Sequence, residues 1–137
     1  MSASLQQVGL AVKRLQWQHH REANRRLAPL GLSLVQWDTL RHLHANPGAS
    51  LHRLAELTFQ TDQSMGELAR RMVDRGLIQR VEGPGRKVQH QLTTAGDDLR
   101  EAGGEAVDSV LADTLGRLGA DERETLHHLL LKAAASR

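Results

Sequence analysis

Residues 50–92 read SLHRLAELTFQTDQSMGELARRMVDRGLIQRVEGPGRKVQHQL, and this stretch decides the fold. Ser50 is placed to cap a short helix whose Leu51, Leu54 and Ala55 share one face. A break follows at residues 58–61, and a second helix is expected from about Asp62 to Arg75, closed by Gly76. Its start is ambiguous: Thr61 is a good cap, yet Ser64 with Glu67 three residues on also has the capping-box pattern. By angle, Met65, Leu68, Ala69 and Met72 occupy one side of this helix, and Gln63, Glu67, Arg70 and Asp74 the far side. Ser64, Gly66 and Arg71 lie on its flanks. Two strands, Ile78–Glu82 and Val88–Leu92, then flank Gly83, Pro84 and Gly85, with Val88, His90 and Leu92 alternating against Gln89 and Gln91. Helix, short turn, helix, and a hairpin with a basic tip is the order of a winged helix-turn-helix.

On the N-terminal side, residues 4–28 read as helix. Leu5, Val8, Val12, Leu15 and His19 form one stripe at three-to-four spacing, and Leu10 and Trp17 lie nearly opposite. A helix apolar on two faces needs two partners, and the second is expected to be another subunit. Pro29 and Gly31 end it; Ser33 and Gln36 then form a capping box for a helix with Leu34, Trp37, Leu40 and Leu43 inward, stopped by Asn46, Pro47 and Gly48. Beyond the hairpin, residues 94–118 are expected to be helical, with Gly103 and Gly104 permitting close packing or a kink, and Asp121 to Glu124 open a last helix carrying Leu126, Leu129, Leu130 and Ala133. The fold class is therefore mainly α with a small β-hairpin wing: one domain over 1–137, with a DNA-binding part at 32–92 and dimerisation helices at 4–28 and 94–135.

Composition narrows the chemistry. The 137 residues contain no cysteine, which excludes disulfides, thiolate metal ligation and thiol redox sensing. Aromatics are Trp17, Trp37 and Phe59 alone, too few for a base-stacking surface. No run approaches the length of a membrane span, and the N-terminus lacks the basic start and apolar stretch of a signal peptide, so a cytoplasmic protein with no membrane partner is expected. The net charge is only +2, but residues 1–90 carry 13 Lys/Arg against 7 acids and residues 91–137 carry 5 against 9, the asymmetry expected of a chain with a polyanion at one end. Solvated helix faces of mixed charge give the same count.

A helix that enters the major groove, about 12 Å wide, needs an apolar back and a front of hydrogen-bonding side chains. Residues 62–75 have that layout, although any amphipathic surface helix shows polar residues outward. The hairpin tip is independent support: Arg86 and Lys87 follow the turn at once, with Arg80 on the facing strand, and can reach phosphates or an AT-rich minor groove.

With these pieces in order, the chain resembles the MarR family of winged-helix transcriptional regulators. The resemblance rests on LSLVQWDTL at 32–40, NPGASL at 46–51, LAE at 54–56, RMVDRGLI at 71–78, LTTAG at 92–96 and DERETL at 121–126. It implies a homodimer built from the first and last two helices, recognition helices in successive major grooves of a palindromic site, wings on the flanking minor grooves, and a small-molecule pocket between the two parts. Arg86 matches the family's wing arginine, while Pro84 stands where the family usually places the acid that braces it. Base reading is assigned to Gln63, Ser64, Arg70 and Arg71, and phosphate contact to Arg86, Lys87 and residues around the third helix. Glu67 on the same face repels phosphates or accepts from a cytosine amino group.

Eight histidines suggest a metal site, but none are spaced as His-x3-His. His19 and His20 are adjacent, as are His127 and His128, and His42 and His44 lie about 200° apart on a helix. No single-helix site follows, and no cofactor is expected; a site assembled between helices stays open. His19 continues an apolar stripe, and Trp37 lies where the resemblance places the pocket wall, so a planar aromatic acid held by Trp37, His19 and Arg21 is the effector hypothesis beside plain core packing. No hydrolase, nucleotide-binding or zinc-protease motif occurs, so no enzyme is expected. Two rivals to a sequence-specific regulator remain: a winged-helix protein–protein module and a nonspecific chromosome-organising protein, the latter disfavoured by the small net charge. If the wing reading holds, Arg86→Ala weakens binding to all duplexes alike and flattens the log–log salt slope by about one; unchanged affinity and slope would overturn it.

Overall fold

A computed structural model describes residues 2–83, 85 and 87–135; Pro84 and Arg86 lie outside the described residues. Six α-helices and one hairpin follow in chain order: α1 Leu5–Leu27, α2 Leu34–Ala45, α3 Leu51–Thr58, α4 Asp62–Asp74, β1 Ile78–Glu82, β2 Val88–Leu92, α5 Thr94–Thr114 and α6 Ala120–Ala134. Short 3-10 turns, Ala28–Leu30 and Leu115–Arg117, follow α1 and α5.

Side-chain caps start five of the six helices. Ser4 with Gln7 and Ser33 with Gln36 make reciprocal capping boxes, and Ser50, Thr61 and Thr93 each accept a backbone N–H one turn on. Thr61 settles the start of α4: its hydroxyl accepts the Ser64 N–H at 3.0 Å. The helix ends in a Schellman motif, with Gly76 at φ 74°, its N–H on the Val73 carbonyl and the Leu77 N–H on that of Met72. The strands pair antiparallel with Ile78 opposite Leu92 and Arg80 opposite His90.

The core joins α2, α3, α4 and β1 to the adjoining halves of α1 and α5. Leu27, Leu40, Leu54, Met65, Met72 and Ile78 are its fully buried members. Of the four residues expected on the inner side of α4, Met65, Ala69 and Met72 are buried and Leu68 is half-buried. Two glycines set how α5 meets this core. A Cβ on Gly103 would stand 2.5 Å from Cδ1 of Trp37, so Gly103 serves close packing within the continuous α5, whereas a Cβ on Gly104 would make only an ordinary contact at 3.9 Å. A Cβ on Gly96 would stand 1.9 Å from the Leu77 carbonyl oxygen. Beside it, the Thr93 hydroxyl donates to the Gly76 carbonyl at 2.6 Å and accepts the Gly96 N–H at 3.0 Å.

The outer helices expose apolar side chains in the single chain. Helix α1 runs antiparallel to α5, with Leu27 near Gly103 and His19 bonded to Thr114. The stripe of Leu5, Val8 and Val12 extends past the end of α5, and these residues are 92, 51 and 51% exposed. No residue of α6 is buried, and Leu129, Leu130 and Leu131 are all exposed. Within the single chain Leu15 and His19 of the α1 stripe and Leu126 of α6 are partly covered, and the rest of these stripes is open.

Gly96→Ala meets backbone rather than a movable side chain, so it should destabilise the chain by about 3 kcal/mol in urea denaturation. An unchanged midpoint would mean that α5 does not sit this close to the α4–β1 turn.

Candidate nucleic-acid interface

Helix α4 stands on its buried Met65, Ala69 and Met72 and turns Gln63, Ser64, Glu67, Arg70 and Arg71 to solvent. The predicted base-reading residues thus share one exposed face, with Glu67 among them. At the wing, the Gly83 N–H donates to the Lys87 carbonyl at 2.7 Å, Gly85 takes φ 74°, and Lys87 is exposed. Arg86 falls outside the described residues.

Between helix and wing lies a cleft of about 360 Å³, with Ala69, Arg70 and Val73 on one wall and Arg80, Val88 and His90 on the other. Arg80 is exposed on β1, so it joins Arg70 and Lys87 in the basic surface; sequence reading had named it only as a neighbour of the tip. His90 is 5% exposed and its Nδ1 has no hydrogen-bond partner. Burial, and then the Arg80 charge, push its pKa below the ordinary imidazole value, so it is neutral at pH 7 and adds no charge to the wing.

Helix α3 is tied to the start of α4 by His52, whose Nδ1 lies 2.9 Å from Asp62 Oδ1 and whose Nε2 lies 3.7 Å from Glu56. The Asp62 carboxylate first, and Glu56 after it, raise the pKa of His52. The intervening turn holds Phe59 at φ 59° and ψ 37°, 94% exposed. The three-residue spacing and cap logic that located this turn carry no signal for either feature.

The three proposed effector contacts are not gathered in one pocket. Trp37 is 7% exposed, donates from Nε1 to the Arg100 carbonyl at 3.0 Å, and carries the Arg41 guanidinium 4.9 Å above its ring. His19 bonds Thr114 Oγ1 at 2.6 Å, and burial lowers its pKa. Along α5, Arg100 and Thr114 are about 21 Å apart at 1.5 Å rise per residue. Arg21 is exposed on a separate cleft of about 390 Å³ between α1 and α5, shared with Arg14, Trp17, Val110 and Arg117. Nearby, Arg26 bridges Glu22 at 3.0 Å and Asp113 at 2.5 Å, and Arg25 and Arg26 together hold the Glu22 carboxyl at about 2. Among the described residues, no three His, Asp or Glu side chains converge as a metal ion would require, and no helix is long and apolar enough to cross a membrane.

The raised pKa of His52 fixes the sign of a pH effect. Its contribution to stability is fully present below the unfolded value of 6.5 and is lost as pH rises through the higher folded value. The stability difference between wild type and His52→Gln should therefore shrink from about pH 6 to about pH 8 in urea titrations; a constant difference would remove the α3–α4 tie. His19, His42 and His90, all lowered by burial, act oppositely and cancel in that comparison.

Known proteins share this arrangement. The pattern that defines the MarR family matches residues 30–87. The HTH-type transcriptional repressor Rv2887 of Mycobacterium tuberculosis is 32% identical over 113 residues, 81% of each chain. The transcriptional regulator HosA of Escherichia coli is 31% identical over 103 residues, 74% of this chain and 76% of that one. Two crystal structures of Rv2887 superpose on nearly the whole chain. The complex with DNA has a TM-score of 0.78 at 28% identity, covering 98% of this chain and 100% of that one. The complex with p-aminosalicylic acid has a TM-score of 0.79 at 29% identity, covering 97% and 100%. Agreement over the outer helices as well as the winged part means that the chain belongs to the MarR family of transcriptional regulators.

Proposed function

We propose that this chain is a homodimeric, sequence-specific transcriptional repressor that binds a palindromic duplex operator in the cytoplasm and is released by a small aromatic acid. The observation that carries the reading is the outward face of α4: hydrogen-bonding side chains on an apolar anchor, beside a wing with its own cations. Gln63, Ser64, Arg70 and Arg71 read base edges, and Lys87, Arg86 and the α3 N-terminus hold phosphates. Residues 32–92 form the reading part and residues 4–28 and 94–135 the pairing part. The dimer is supported by the apolar surface that one chain leaves open, Leu5, Val8 and Val12 on α1 and Leu129, Leu130 and Leu131 on α6. The relative Rv2887, solved with DNA and with p-aminosalicylic acid, supports both ligand classes. For the aromatic acid, the cleft holding Arg21 beside Trp17 is the better-supported seat, since it offers guanidinium groups and an exposed indole, whereas Trp37 is occupied as a core residue.

Selection of bound duplexes from a random pool tests the reading. A palindrome with half-sites about 10 bp apart is expected, and salicylate should release the chain from it. An unenriched pool overturns sequence-specific binding; enrichment without release by salicylate overturns the effector.

A further inference from the structure

Phe59 is the one non-glycine residue with positive φ among the described residues, and its side chain is 94% exposed. The two features together are unfavourable. A bulky side chain in the left-handed region crowds its own backbone, and an exposed ring recovers nothing from burial. The turn itself does not require the ring. Helix α3 closes on backbone bonds, the Phe59 N–H to the Glu56 carbonyl at 3.3 Å and the Gln60 N–H to the Ala55 carbonyl at 2.8 Å, and a glycine would make both without strain. Among the described residues, nothing therefore accounts for a phenyl group at this position.

Its place in the fold indicates what does. Phe59 stands two residues before Thr61, the cap of α4, and four and five residues before the exposed Gln63 and Ser64. An N-terminal half of α4 seated in the major groove carries this turn to the groove with it. The apolar stripes on α1 and α6 belong to the pairing part of the chain, and a single ring is far smaller than the surface a stable protein–protein contact buries. Duplex DNA, by contrast, displays an apolar group of matching size in the major groove, the C5-methyl of thymine, and phenylalanine is a side chain that contacts it.

We propose that Phe59 is a base-reading residue that packs on a thymine methyl next to the bases met by Gln63 and Ser64, and that the left-handed turn serves to present it. This rests on the DNA-reading face described under the proposed function. It extends the polar readout of α4 with one apolar contact per half-site.

The test uses the full chain and the duplex recovered by selection. Phe59→Gly and Phe59→Asn both accept the left-handed backbone and remove the ring, whereas Phe59→Tyr keeps it. The first two should melt at or above the wild-type temperature yet bind the selected duplex about four-fold more weakly, the equivalent of one methyl-sized group returned to water. Thymines are then replaced by deoxyuridine, which lacks the methyl, one position per half-site at a time. At one position, the exchange should weaken wild type and Phe59→Tyr about four-fold and leave Phe59→Gly and Phe59→Asn unaffected. Equal affinity of all four proteins would overturn the role of Phe59, as would an unaltered deoxyuridine penalty in the two variants without the ring. A wild-type chain that selects no duplex would instead sink the DNA-binding reading and the inference with it.

Discussion

The close approach of the first turn of α5 to the turn between α4 and β1 is the constraint on which the reading head depends. Gly96 has no side chain because the Leu77 carbonyl occupies the space a Cβ would take, and the Thr93 hydroxyl is shared between Gly76 and the α5 N-terminus. Leu77 in turn follows the Schellman closure of α4. One small region therefore fixes the end of α4, the start of the hairpin and the start of the long helix α5. The end of α4 and the start of β1 are thus held against α5 by backbone packing rather than by adaptable side chains.

The Trp37–Gly103 contact is the complementary hold at the other end of this joint. The indole packs into the space opened by glycine, its N–H is satisfied by the Arg100 carbonyl, and Arg41 covers its outer face. Trp37 thereby couples α2 to α5. Of the two roles its position allows, core packing and pocket wall, these contacts describe the first: Trp37 joins α2 to the long helix α5. Polar links do the equivalent work between α1 and α5, where Arg26 reaches Ser109 and Asp113.

The sequence made much of the fold legible because local signals agreed with one another. Serine and threonine caps, glycine stops and the period-two alternation of β2 located the elements, and both strands have the expected ends. The outward face of α4 was legible for the same reason, since a helix with a buried side fixes its exposed side. What was not legible depended on contacts between distant segments. Nothing in the spacing of His19, Arg21 and Trp37 says that His19 and Trp37 meet α5 at points about 21 Å apart along it, and nothing near Gly96 says that a carbonyl from residue 77 lies against it. The leucines of α6 carried a correct periodicity without naming what covers them, because a pattern records that a face is apolar and not which chain buries it. Phe59 was legible only as part of a break, since its backbone angle follows from how α3 and α4 are joined.

The uncovered faces of α1 and α6 would tie the stability of the outer helices to assembly in the proposed dimer. A helix of 15 residues with no buried side chain is marginal in water by itself. In the proposed dimer, burial of Leu129, Leu130 and Leu131 against a second copy would hold α6 in place, and association would then stabilise the chain by mass action. The fraction of chains with α6 in place would then rise with protein concentration. Dilution alone would then fray the outer helices while the core of α2, α3, α4 and β1 stayed closed within one chain.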